Sequence, residues 1–247
     1  MLYISSRKNP VVEKLLKIGD KPSADAFLVE GLHFVEDIPA GNIITAVFSE
    51  DMKDSPLLKK AEADGAEVYV ASTSVMEKLS GTVCAQSVVA LVRKQTFPRP
   101  RKLILLDGLQ DPGNMGTVIR TAAAFGFGVI LGKGCANPFK QKVVRSSAGT
   151  VLKVYTENVS DIVSYIEGLK EEGYTVLSSE LDAGASSPEN IAPTEKMAVI
   201  IGNESRGVSR EASSSAHKKV FIPISRDSAE SLNAGIAAAI LMYSYRD

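Results

Sequence analysis

Apolar residues in this chain recur with two different spacings, and the switches between them mark out its elements. In the first part, residues 11–18 carry apolar side chains at helical spacing and residues 26–29 form a short apolar run that reads as a strand. The same reasoning predicts a helix near residues 33–38, strands over 43–48 and 67–70 with a helix over 56–65 between them, and another strand at 88–92. Further along, KLILL at 102–106 is a continuous apolar run and residues 114–125 have helical spacing. Strands are then expected at 128–131, 174–178, 197–201 and 220–224, with helices at 159–172 and 232–245. Continuous apolar strands between helices imply a sheet buried on both faces, which is the pattern of parallel pairing.

Pro98 and Pro100, set among Arg99, Arg101 and Lys102, break the pattern at a point where neither a helix nor a central strand can continue. The fold class is therefore α/β in two parts. Residues 1–97 form a small α/β sandwich, and residues 98–247 form a larger α/β domain with a mostly parallel sheet.

Composition changes little in this picture, but charge does. The apolar fraction is 45% and no run of apolar residues is long enough to span a membrane. The N-terminus lacks the apolar centre of a secretory signal, and Cys84 and Cys135 lie far apart with no partner motif, so a cytoplasmic protein without a disulfide or a metal site is expected. Net charge is −1, yet residues 98–150 hold 8 Lys/Arg against 2 Asp/Glu. A locally basic stretch suits a phosphate-binding surface, although a solvated basic face would have the same composition.

Three loops that follow apolar strands carry the candidate chemistry. The first is DGLQDPGNMGTVIR, residues 107–120. Asn114 by itself reads as a helix cap, whereas Arg120 stands among Val, Ile, Ala and Phe in the helix and is hard to explain structurally. An uncoiled first turn would let Asn114 and Arg120 reach one cavity, where the guanidinium can grip an RNA phosphate. The second loop, IGNESRGVS at 201–209, sets Gly202 directly after a strand, where a ligand can approach the backbone, and it exposes Glu204. It is not a dinucleotide fingerprint, and a plain salt-bridged loop would look the same. The third, IPISRDSAESLN at 222–233, ends in Ser231 and Asn233, which either cap the next helix or face a ligand. Neither His33 nor His217 has a partner in sequence that would make a catalytic triad.

Taken together, DGLQDPGNMGTVIRTAAAFG, IIGNESRGVS and IPISRDSAESLNAGIAAAILMY resemble, in order and spacing, the three motifs of the SpoU/TrmH family of RNA ribose methyltransferases in the SPOUT superfamily. SSRKNPVVEKLL and FLVEGLHFVEDI resemble the small substrate-binding domain that often precedes it, whose fold is similar to certain ribosomal RNA-binding proteins. The resemblance implies a deep trefoil knot in the C-terminal domain. It also implies S-adenosylmethionine bound near Gly202, Ile222, Leu232, Ser231 and Asn233, and a homodimer formed through that domain with the active site near the interface. Arg120 matches the family's catalytic arginine, and Asn114, Glu204 and Ser231 would orient the nucleophile or the cofactor. Arg7, Lys8, Lys142 and Arg145 are the candidates for RNA contact.

This chain departs from the family in two places. Residues 19–26 hold one lysine and two aspartates where several cations are usual, and Arg226-Asp227-Ser228-Ala229 stands where a glycine is usual before ESLN. The expected activity is methyl transfer from S-adenosylmethionine to a ribose 2′-hydroxyl, with ribosomal RNA the first candidate and transfer RNA the second. A non-catalytic RNA-binding module of the same fold is the alternative, disfavoured because Asn114, Arg120, Glu204, Ser231 and Asn233 are all present. A different nucleotide-binding enzyme would need a glycine-rich phosphate loop where this chain has Asp107 and Asp111.

Overall fold

The computed structural model describes every residue except 1, 82–85, 183, 226, 228–229 and 247. Cys84, Arg226, Ser228 and Ala229 therefore lie outside the described residues. The chain forms two compact units, residues 1–95 with 139–152 and residues 96–138 with 153–247.

The first unit contains β1 (Leu2–Ile4), α1 (Pro10–Asp20), β2 (Ala26–Glu30), α2 (Leu32–Glu36), β3 (Ile43–Ser49), α3 (Pro56–Ala63), β4 (Glu67–Ala71), α4 (Thr73–Ser80) and β5 (Val88–Arg93). Its sheet runs β1-β4-β3-β5-β2, with β1, β4 and β3 parallel and β5 antiparallel to both neighbours. Val12 and Leu15 of α1 pack with Val75, Met76 and Leu79 of α4 on one face, over Val47, Val89 and Leu91 of the strands. The sequence reading omitted β1 and α4. The first has only three residues, and the second has three apolar residues in eight, Val75, Met76 and Leu79.

β2 is an edge strand, yet all five of its residues are buried. An open edge needs cover, and α6 (Gln141–Ser146), which returns to this unit from far along the sequence, packs on β2. Phe139 stacks at a tilt on Phe27 with centroids 4.9 Å apart, and Gln141 donates to the Leu79 carbonyl at 3.0 Å. Arg145 Nε lies 2.5 Å from Glu30 Oε1, and its guanidinium also donates to the Ser80 carbonyl. Burial raises the Glu30 carboxyl pKa, and the pairing with Arg145 only partly offsets this. Three of the eight cations in the basic stretch, Lys140, Lys142 and Arg145, thus sit in the first unit.

The second unit contains β6 (Lys102–Asp107), α5 (Pro112–Phe125), β7 (Gly128–Leu131), β8 (Thr156–Asn158), α7 (Ile162–Glu171), β9 (Thr175–Ser179), β10 (Met197–Gly202), α8 (Arg210–Ser215), β11 (Lys218–Val220) and α9 (Ala234–Ser244). The sheet order is β11-β9-β10-β6-β7-β8, and every pairing is parallel. Side chains alternate across a strand. Leu103 and Leu105 therefore meet Ile162, Ile166, Leu169 and Ala212 of α7 and α8, while Ile104 and Leu106 face the opposite side. On that side α5 and α9 pack together in parallel: Thr117 abuts Gly235, and the Phe125 and Tyr243 rings meet at 5.9 Å.

Three of the boundaries that differ from the sequence reading bear on the site. β11 ends at Val220, so Ile222 and Ile224 lie beyond the strand; Pro223 has no amide proton to continue a ladder. α5 begins at Pro112 because the Asp111 side chain accepts from Asn114 N, so Asp111 is the cap and Asn114 is inside the helix. The first turn of α5 is consequently wound, not uncoiled. α9 begins at Ala234, capped by Asn233.

At the far end of α9, Lys102 Nζ donates to the Tyr245 carbonyl at 2.6 Å, placing a cation on the negative end of the helix. The Tyr245 hydroxyl is buried with no hydrogen-bond partner among the described residues, and burial pushes its pKa up to about 12. A buried unpaired hydroxyl costs about 1–3 kcal/mol. Tyr245→Phe removes it without leaving a void, so the thermal unfolding midpoint should hold or rise by roughly 2–4 °C per kcal/mol recovered. A clear drop would mean that the hydroxyl has a partner.

Candidate active site

Three loops converge beyond the carboxyl ends of β6 and β10, the two central strands of the second unit. Parallel sheets bind ligands at this end. Gly202 closes β10 opposite Asp107 of β6. The chain then turns so tightly that Asn203 and Gly207 pair through two backbone hydrogen bonds of 3.0 and 2.9 Å. A Cβ on Gly202 would lie 2.0 Å from the Gly207 carbonyl carbon, so only glycine fits there. The turn is tied down at two further points: Asn203 Nδ2 donates to the Gly108 carbonyl at 2.8 Å, and Ser209 N donates to Asp107 Oδ2 at 2.7 Å.

Glu204 leans from this turn onto the first loop. Its carboxylate accepts from Asp111 N at 3.0 Å, Gln110 N at 3.3 Å, Asn114 Nδ2 at 3.1 Å and Asn203 Nδ2 at 3.4 Å. Burial works to raise its pKa, but these donors together outweigh burial and hold it below the usual carboxylate value. The other end of the Asn114 amide completes the link, its Oδ1 accepting from Asn233 Nδ2 at 2.8 Å. Asn233 Oδ1 in turn accepts from Gly235 N and Ile236 N and so caps α9. Glu204, Asn114 and Asn233 form one hydrogen-bonded chain with a member from each loop.

A cavity of about 490 Å³ opens beside this chain. Its apolar walls include Leu181, Ile201, Ile222 and Leu232, and Glu204, Ser231 and Asn233 supply polar groups. Gly202, Ile222, Ser231, Leu232 and Asn233, the five positions expected around the cofactor, all line it. Asn114 is buried one hydrogen bond away, behind Glu204 and Asn233.

Arg120 lies elsewhere. It is exposed on α5, six residues beyond Asn114, does not line the cavity, and makes no hydrogen bond or ion pair among the described residues. In a regular helix, six residues rotate a side chain by about 120° and advance it by about 9 Å. The wound first turn thus keeps Asn114 and Arg120 on different sides of α5. Arg7, Lys8 and Lys142 are exposed in the first unit, and Arg145 there is tied to Glu30. His217 is structural, its Nδ1 accepting from Val176 N at 3.0 Å, and the Cys135 thiol donates to the Leu106 carbonyl.

The sequence reading gave no role to Asn203 or Asp111. Both follow a known local rule: an Asn opening a turn bonds the amides that follow it, and an Asp before Pro-Gly caps a helix. Asn203 Oδ1 accepts from Ser205 N, Ser205 Oγ and Arg206 N.

Residues 101–243 match the SpoU rRNA Methylase family. The chain belongs to that family. Residues 12–90 also match the MRM3-like substrate binding domain. Over its whole length the chain is 33% identical to the whole of the Bacillus subtilis 23S rRNA (guanosine(2553)-2′-O)-methyltransferase RlmP. A Synechocystis protein named as an uncharacterized tRNA/rRNA methyltransferase is 31% identical over 98% of this chain and 93% of its own. Among solved structures, the AdoMet-bound rRNA methyltransferase of Sinorhizobium meliloti superimposes with a TM-score of 0.85 at 26% identity, over 98% of this chain and 96% of that one.

Membership sets the class of chemistry, methyl transfer to RNA with S-adenosylmethionine as donor. The cavity fits that donor. Its volume is in the range of small-molecule sites, its walls suit an adenine and a methylene chain, and its polar groups are few and convergent. No helix among the described residues is long and apolar enough to cross a membrane.

Proposed function

We propose that this protein methylates a ribose 2′-hydroxyl of ribosomal RNA, in the large-subunit RNA before any transfer RNA. The observation that carries this reading is the Glu204–Asn114–Asn233 chain, which joins all three motifs at the mouth of a donor-sized cavity. S-adenosylmethionine supplies a methyl already activated on a sulfonium, so the protein's task is alignment and a route for one proton. Glu204 is poorly suited to take that proton, because its carboxylate faces four donors and its pKa is lowered. It acts as the anchor that fixes the first loop against the second. Ser231 and Asn233 hold the donor's polar end, while Gly202, Ile222 and Leu232 enclose it. Arg120 grips the RNA backbone and orients the attacking hydroxyl.

In this reading residues 1–97 bring the RNA through Arg7 and Lys8, helped by the returning α6, where Lys142 is in contact and Arg145 is shared between Glu30 and the RNA backbone. Residues 98–247 carry the transfer. In the same reading the second unit carries the trefoil knot that the family resemblance implies. The enzyme works in the cytoplasm as a homodimer. Support for the dimer comes from α9, where Ile236, Ile240 and Tyr243 recur at i, i+4 and i+7 and the first and last are about half exposed. Arg120, on the helix paired with α9, then works at the dimer interface.

Ile236→Asp is expected to shift the sedimentation coefficient from dimer to monomer and to abolish methylation with it. A monomeric wild type would rule out this arrangement. The reading as a whole is tested by titration calorimetry with S-adenosylmethionine and S-adenosylhomocysteine. Micromolar binding of both is the predicted result, and no binding by the folded protein would favour an RNA-binding module without catalysis.

A further inference from the structure

Arg206 is set apart from the rest of the second-loop turn. Asn203 is spent on Gly108 and on the amides that follow it, Glu204 on the first loop, Ser205 on Asn203, and Ser209 on Asp107 and the start of α8. The backbone of Arg206 is fixed as well, its N–H donating to Asn203 Oδ1 at 3.3 Å inside the turn closed by Asn203 and Gly207. Yet its side chain is exposed and makes no hydrogen bond or ion pair among the described residues. The nearby acid Glu204, two residues earlier, is engaged by four other donors and makes no ion pair with it among the described residues.

The position of the residue narrows what the cation can meet. Ser205 and Gly207 both line the cavity, whereas Arg206 between them does not. Arg206 therefore stands at the rim without forming part of the cavity wall. A ligand that meets it approaches from outside and carries negative charge. A planar five-donor fork on an immobilised backbone pairs best with a phosphate, and prior ordering of the turn lowers the entropy lost on binding.

We infer that Arg206 binds a backbone phosphate of the RNA substrate at the rim of the donor cavity, and so sets where the ribose enters. This rests on the RNA-methyltransferase reading. It adds a substrate contact in the second loop, separate from the one assigned to Arg120 in the first. A guanidinium that was merely solvated would leave RNA binding indifferent to its loss.

The test uses full-length wild type, Arg206→Ala and Arg206→Lys with an unmodified 23S ribosomal RNA transcript. Binding is measured across a salt series, steady-state methylation alongside it, and S-adenosylmethionine affinity by calorimetry. Arg206→Ala should raise KM for RNA about 5- to 20-fold, leave kcat within about 2-fold, and flatten the slope of log K against log salt by about one. Arg206→Lys should restore the slope but only part of the affinity, because an ammonium lacks the fork. S-adenosylmethionine affinity should not change in either variant. A wild-type slope and KM in Arg206→Ala, or a fall in kcat alone, would overturn the inference while leaving the enzyme reading intact. A wild type that binds the donor but not the RNA would overturn both.

Discussion

Glu204→Ala is expected to lower kcat by about 100-fold or more, and Glu204→Gln to fare little better. Among the described residues the carboxylate is the only acceptor for the Gln110 and Asp111 amides, and it also holds Asn114 and Asn203. Alanine leaves those donors unpaired beside the cavity, at about 1–3 kcal/mol for each one that stays dry. Glutamine keeps the shape but turns an NH2 group toward a ring of N–H groups, so one oxygen must serve where two did. In both variants the first loop loses its register against the second, and a displacement of about 1 Å in aligned groups is enough for a loss on the order of 100-fold. The check is kcat together with the thermal midpoint. A glutamine variant of wild-type activity would show that charge and full acceptance are not needed.

The same anchor predicts an acid limb. A carboxyl whose pKa is lowered in the folded state contributes stability above its unfolded pKa and loses it as pH falls through the lowered value. Glu204 should therefore stay ionised through the mildly acidic range, and loosening of the loop should begin only below the ordinary carboxylate pKa of 4.5.

Arg120→Ala is the second large effect. Turnover should fall by about 100- to 1,000-fold, the range for removal of one preorganised donor at a reacting centre. S-adenosylmethionine affinity should remain near wild type, because Arg120 does not line the donor cavity. The stability of the fold should also hold, since the side chain is exposed and unpaired among the described residues. Wild-type turnover in this variant would remove Arg120 from the mechanism. Weakened donor binding would place it in the cavity after all.

Legibility in the sequence followed the length and burial of each element. The central strands β6 and β10 were readable because burial on both faces leaves the continuous apolar runs LILL and MAVII within them. β1, β8 and β11 have three residues each, too few for a period, and two of these were missed and the third displaced. α6 was read only as charge, because its function as cover for β2 depends on partners about 110 residues away in sequence, such as Glu30 for Gln141. At the site, the residue types of Asn114, Glu204 and Asn233 were legible as members of three motifs, but the bonds joining them were not. They follow from a register, Gly202 opposite Asp107, that only pairing of β6 with β10 creates. Asn114 shows the difference most clearly. As a sequence it reads as a cap, whereas the structure gives the cap to Asp111 and turns Asn114 inward to link Glu204 with Asn233.

The most direct test of the central claim is product analysis. The purified protein would be incubated with labelled S-adenosylmethionine and unmodified 23S ribosomal RNA, and the RNA digested to nucleosides for mass spectrometry. The account predicts one 2′-O-methylated nucleoside, protected from alkaline cleavage at its own linkage and lost in Glu204→Ala and Arg120→Ala. A label on a base, or no label with the donor shown to bind, would contradict it.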